Sequence, residues 1–116
     1  MYDKTTNLEI KFMSQSQSKK ESLFNDALMK LDAINSCLQN DPTIGDNNPP
    51  AHSQFGLYAI SPNATGNWKG QGGNLAYYLE GWKFIKPWEG MILFYKSIDQ
   101  TKRGIYVYYD NKWNKG

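Results

Sequence analysis

The sequence predicts an α+β protein: an N-terminal arm and one amphipathic helix, then a small antiparallel β-meander, barrel- or sandwich-like. Three observations carry this expectation. All 10 glycines and all 5 prolines lie at or after residue 42. Of the aromatic residues (4 Trp, 8 Tyr, 5 Phe), only Tyr2, Phe12 and Phe24 precede residue 52. Apolar residues recur at three- and four-residue spacing before residue 40, and in short runs broken by turn formers after residue 53.

Residues 1–17 are polar, with Leu8, Ile10 and Phe12 alternating against Asn7, Glu9 and Lys11. A period of two predicts a short strand or extended arm that docks on something larger. Residues 18–40 are expected to form the helix. Ser18 and Glu21 match a capping box, in which each side chain satisfies the other's free backbone N–H. Leu23, Phe24, Ala27, Leu28, Leu31, Ile34 and Leu38 then draw an apolar stripe, with Asp26, Lys30 and Asp32 off it. The residue before Pro42 is pushed out of helical geometry, which sets the expected end at Asn40-Asp41. Written as heptads, the stripe is a short seam of Phe24, Ala27, Leu31, Ile34 and Leu38. Period alone does not choose between a helix lying on a sheet and a helix meeting its own copies.

Residues 41–53, with Pro49-Pro50 and several turn formers, read as an extended, exposed linker. Residues 54–116 read as the aromatic-rich β-domain. Strands are expected at 55–60, 75–79, 82–85, 91–96, 105–109 and 112–113, with tight turns at Glu80-Gly81 and Asp110-Asn111. Leu75, Tyr77 and Leu79 should face one way, Ala76, Tyr78 and Glu80 the other. So small a sheet buries little, and the helix or an oligomer partner is expected to complete its core.

Charge and inventory exclude more than they assign. The net charge of +2 does not argue for nucleic acid as a partner. Split at residue 51, the front carries more acid than base and the back the reverse, a weak pull toward anionic partners. No stretch approaches a membrane span, and the start at Met1 lacks the apolar core of a signal peptide, which implies a soluble chain made in the cytoplasm. The single Cys37 excludes an internal disulfide framework and, on the expected helix, reads as a buried inert thiol.

The residues for catalysis are sparse. His52 is the only histidine and sits in the linker, where a base has no fixed partner. Glu80 and Glu89 could be imagined as a glycosidase pair, but both precede turn glycines, where polar residues are expected anyway. No metal-ligand motif and no cofactor fingerprint is present. The run from Gly66 to Gly73 lacks the Gly-Lys-Ser/Thr ending of a phosphate loop and opens no helix. Asn63-Ala64-Thr65 matches a glycosylation acceptor, which without a secretory signal reads as chance. The sequence therefore points away from an enzyme, with no catalytic, metal or cofactor residues. The aromatic set remains, and most of it should be core. Trp68 and Trp88 fall in loops, with Lys69 beside the former, and are the expected ligand contacts.

Several segments resemble a known pattern. The run Gln17-Ser18-Lys19-Lys20-Glu21, then Asn25-Asp26-Ala27-Leu28 and Leu31-Asp32-Ala33, resembles Q-A-Q-K-E-x-x-x-N-E-A-L-x-x-L-D-A. Ala64-Thr65-Gly66-Asn67-Trp68-Lys69-Gly70 resembles A-T-G-x-W-x-G. Glu80-Gly81-Trp82-Lys83-Phe84 and Pro87-Trp88-Glu89-Gly90 resemble D-G-x-W-x-F-x-x-P and P-x-E-G. Tyr108-Tyr109-Asp110-Asn111-Lys112-Trp113 resembles a closing aromatic-D-G-x-x-W. In this order, from about Leu8 to Trp113, they resemble an uncharacterised domain family of tailed phages, prophages and gene transfer agents, found near tail-fibre or spike genes. Lys19, Ser22-Leu23-Phe24, Met91 and Asn111 depart from it.

The family has no assigned catalytic residues, so none are carried over. The resemblance implies a non-enzymatic virion component: a tail, fibre or spike connector or adhesion module, made in the host cytoplasm and carried on the particle. Implied partners are its own copies through the helix seam, with a trimer favoured by analogy with fibres, and other tail or fibre proteins. The alternative reading is a glycan-binding module that recognises host surface polysaccharide.

Overall fold

A computed structural model describes residues 4, 5, 7–11, 19–51 and 55–116, with side chains in the first turns of the helix (19–24) left aside. Most of the expected arm, the Ser18–Glu21 capping box, the Phe24 side chain and His52 lie outside the described residues. The chain is α+β, with one α-helix and two antiparallel three-stranded sheets among the described residues. It divides into two compact units, Met1–Ser36 and Cys37–Gly116.

In the first unit, α1 spans Lys19–Ile34. Its described buried face is Asn25, Leu28, Met29, Asp32 and Ala33, a helical row one position away from the expected seam. Asp32, expected off the apolar stripe, is fully buried. Its carboxylate accepts the backbone N–H of Asn7 (2.7 Å) and of Leu8. The arm residues on either side form a tight hairpin. Lys4 bridges Lys11, the Thr5 N–H donates to the Ile10 carbonyl (3.0 Å), and the Ile10 N–H donates to Thr5 Oγ1 (3.0 Å). The arm thus docks through one carboxylate that receives two backbone donors at its tip.

The helix ends at Ile34, six residues before the expected stop. The Asn35 side chain donates to the Leu31 carbonyl (2.8 Å) and the Ser36 hydroxyl to the Asp32 carbonyl (3.2 Å). The Asn35 and Ser36 N–H groups close short turns onto Asp32 and Ala33. Polar side chains thus satisfy the last carbonyls that a further turn would have used. Cys37 and Leu38 are therefore not helical. Cys37 is partly buried rather than a helical core thiol.

In the second unit, β1 (Tyr58–Ala59), β2 (Leu75–Tyr78) and β3 (Trp82–Ile85) form one sheet. The second sheet is β4 (Ile92–Tyr95), β5 (Gly104–Tyr109) and β6 (Lys112–Lys115). The expected first strand over 55–60 contracts to β1, because Leu57 and Ile60 pair elsewhere. Residues 37–39 supply the missing link. Leu38 bridges Leu57 on one side and Tyr95 on the other, both in parallel. Its N–H donates to the Phe94 carbonyl and the Gln39 N–H to the Leu57 carbonyl, each at 2.8 Å. The order is then β3-β2-β1-(37–39)-β4-β5-β6, which leaves β3 and β6 as the free edges among the described residues.

The expected linker is also structured up to residue 48. The Gly45 N–H donates to the Asp41 carbonyl (2.8 Å), Pro42 is buried, and Asp46 pairs with Ile60. The Asn40 side chain donates to the Ala59 carbonyl and accepts the Ala59 N–H, each at 2.7 Å, and so takes the place of a strand neighbour. Gly45 has φ +66°, and a Cβ there would lie 2.6 Å from the Ser61 nitrogen, so only glycine fits this turn against the chain beyond β1.

The first sheet is buried on both faces. Leu57, Ala59, Leu75, Tyr77 and Ile85 point one way. Tyr58, Ile60 and Ala76 point the other, where a 3₁₀ turn at Gly66–Trp68 lays the fully buried Trp68 indole beside them. The Trp68 ring lies 6.2 Å from Tyr58 and 5.1 Å from Trp82, the latter edge-on. At β5–β6, Asp110 (φ 54°) and Asn111 (φ 60°) make a two-residue turn with both centres left-handed, the type that matches strand twist.

Candidate functional site

The second sheet has an unequal pair of faces. Leu93, Tyr106 and Trp113 lie on one face and are buried. The Tyr106 hydroxyl donates to the Lys102 carbonyl. Burial, and secondarily the nearby Asp41 carboxylate, raise its phenol above the ordinary value of 10.0.

The outward face is apolar and open. It carries Ile92 and Phe94 on β4 with Ile105, Val107 and Tyr109 on β5. Strand register sets Ile92 opposite Val107 and Phe94 opposite Ile105, so these side chains form one contiguous stripe two strands wide. Ile92 is 63% exposed and Ile105 53%, with Phe94 and Tyr109 above 40%. Water-facing strand positions normally alternate to polar residues. Here β6 alone does so, with Lys112 and Asn114.

The stripe is electrically polarised along its length. Lys96 and Arg103 flank one end, where β4 leaves the sheet and β5 enters it. The loop between them exposes Ile98 completely. It is held by Asp99, whose Oδ1 accepts both the Thr101 N–H (3.0 Å) and hydroxyl (2.7 Å). The hydroxyl bond, then the N–H bond, hold the Asp99 carboxyl below its ordinary value of 3.8. Lys102 in this loop reaches Asp41 at 3.7 Å. Glu89, Asp110 and Lys112 flank the other end, where the Gly90 N–H meets the Tyr108 carbonyl (2.7 Å).

A second feature is a cleft of about 180 Å³ between the Asp41–Gly45 turn, the chain around Pro62 and Asn74, and the β5–β6 hairpin. Ile44, Asn74, Tyr108, Asn111, Lys112 and Trp113 line it. Tyr108 and Trp113 stand edge to face at 5.1 Å. Ile44 and Asn74 carry no local signal for this cleft, because the linker and the glycine-rich loop meet only in three dimensions.

The expected contact residues separate. Trp68, placed in an exposed loop by the sequence reading, is instead core of the first sheet. Its Nε1 is buried with no hydrogen-bond partner among the described residues. Lys69 is exposed and Trp88 is half-exposed at the approach to β4. Of the expected seam, Ala27 is exposed, Leu31 is 49% exposed and Ile34 is half-buried. Leu38 is not on the helix and is fully buried in the second unit. A seam running through Leu38 is therefore ruled out. Among the described residues, no group of His, Cys, Asp or Glu side chains is placed to hold a metal ion, and no helix is long and apolar enough to cross a membrane.

The sequence model of a family described as "Protein of unknown function (DUF2793)" matches residues 24–114, well over half of the chain. The chain belongs to the DUF2793 family. No curated protein and no solved structure matches it. The DUF2793 span takes in the first sheet, the second sheet up to Asn114, the outward stripe and the cleft, together with α1 from Phe24 onward.

Proposed function

We propose that this DUF2793 chain is a non-enzymatic structural component of a phage-like particle, a connector or adhesion module that works by protein–protein contact and is carried on the virion. The supporting observation is the outward stripe of the second sheet. Single exposed apolar residues are ordinary, but four contiguous ones around a half-buried Val107 on a regular sheet face carry a cost in water that a partner removes. The open side of α1 at Ala27 and Leu31 adds a second, smaller contact surface. The particle context rests on the resemblance of the motif succession to the phage-associated family. The test is to purify particles by density gradient from a producing strain and probe them for this chain. Its co-migration with the particles is expected; its presence only in the soluble fraction would overturn the reading.

The cleft favours a second reading, binding of host surface glycan. Aromatic edges with the carboxamides of Asn74 and Asn111 around a small hollow suit a sugar ring and its hydroxyls. Trp68 is withdrawn as a contact, so the residues to substitute are Asn111 and Lys112. Loss of polysaccharide retention by Asn111→Ala with Lys112→Ala would support this reading, and unchanged retention would remove it.

A further inference from the structure

We infer that the outward stripe of the second sheet is a two-fold interface with a second copy of this chain, in which β4 and β5 of the two copies stack face to face with their strands reversed. The inference deepens the assembly reading above by naming the partner and the surface.

The sheet edges are closed to association. A free strand edge is the usual route to sheet-to-sheet pairing, and natural proteins blunt it with lysines. Here β3 carries Lys83 at its centre, and β6 carries Lys112 and Lys115 at its ends, all exposed. β1 and β4 are already paired through residues 37–39. Association through this unit is thereby directed to a face.

Charge selects the orientation. A two-fold interface brings the same patch of each copy together, so residue i meets j and j meets i. If the strands ran the same way, Lys96 and Arg103 of one copy would face Lys96 and Arg103 of the other. With the two-fold axis across the strands, the end bearing Lys96 and Arg103 meets the end bearing Glu89 and Asp110, twice per dimer. Lys102, which Asp41 offsets, and Asp99 sit at the first end and Lys112 at the second, which leaves the first net positive and the second net negative. The stripe is thus complementary to itself in the reversed orientation, and like charges disfavour the other.

The stripe also fits a stacked copy. Stacked sheets sit about 10 Å apart with interleaved side chains, and a stripe of Ile, Phe, Val and Tyr alternating in register is suited to that spacing. The stripe offers on the order of 400 Å² of apolar surface per copy. That is roughly half of the ~800 Å² per partner typical of a stable complex, so the dimer should dissociate on dilution.

The test is the mass of the full chain by sedimentation velocity over a hundredfold concentration range. A monomer–dimer equilibrium is expected. Phe94→Glu, a surface change checked for folding by circular dichroism, should weaken association at least tenfold. Arg103→Glu should also weaken it, and the double variant Arg103→Glu with Glu89→Arg should recover it, because the swap restores opposite charges across the axis. A monomer at every concentration would overturn the proposal, as would a dimer indifferent to Phe94→Glu. A trimer abolished by Leu31→Glu would overturn it in favour of the helix. None of these outcomes depends on whether the chain is found on particles, so failure here and failure of the particle reading are separable.

Discussion

Leu31 and Leu38 test the architecture most directly, because helical periodicity makes them equivalent and the folded chain does not. Leu→Ala removes three carbons, worth about 2.4 kcal/mol of transfer free energy at ~0.8 kcal/mol per carbon. At Leu38, fully buried between Leu57 and Tyr95, a residual cavity raises the cost toward 3–5 kcal/mol. At Leu31, half the side chain is already in water and alanine is the better helix former, so the net cost should stay below about 1 kcal/mol. Urea unfolding followed by tryptophan fluorescence reads the second unit, which holds all four tryptophans. For a unit of this size the denaturant slope is about 1 kcal/mol/M. Leu38→Ala should therefore lower the midpoint by roughly 3 M or leave the unit unfolded, and Leu31→Ala should barely move it. Equal shifts for the two variants would refute the placement of residues 37–39 between the sheets.

Two further predictions concern carboxylates. Asp32→Ala leaves the Asn7 and Leu8 N–H groups without their acceptor, at a cost of about 1–3 kcal/mol. Amide exchange at those two positions should accelerate roughly tenfold or more, less for Asp32→Asn, and unchanged protection would remove Asp32 as the docking group of the arm. The Asp99 carboxyl is held below 3.8 by Thr101, so its contribution to the β4–β5 loop is present above that value and fades as pH falls through the lower folded one. Carboxyl NMR titration should show Asp99 below 3.8 and Thr101→Ala should bring it back up; identical titrations would dismiss the turn as a constraint on the loop.

The strands were legible because their signals are local. Residues 82–85 formed a strand over the expected span and four others fell within a residue or two of theirs, while the first contracted from 55–60 to Tyr58–Ala59; turns formed at Glu80-Gly81 and at Asp110-Asn111, the latter from residues that tolerate left-handed backbone. The stripe of the second sheet was in principle legible too. Ile92, Phe94, Ile105, Val107 and Tyr109 alternate with Leu93, Tyr106 and Tyr108, but both sets are apolar or aromatic, so alternation alone does not tell inside from outside.

By itself, then, the sequence determined the element types and most of the strand boundaries, since turn chemistry and period act over a few residues. Asn35 and Ser36 end the helix locally, but only tertiary structure decided where the chain beyond them goes: Leu38 sits at helical spacing from Ile34 and is nevertheless drawn into a gap between two strands. Tertiary structure also buried Trp68, whose loop closes over the first sheet, and assigned opposite environments to the two faces of the second. Those outcomes depend on which segments meet across many residues, and local pattern carries no information about that.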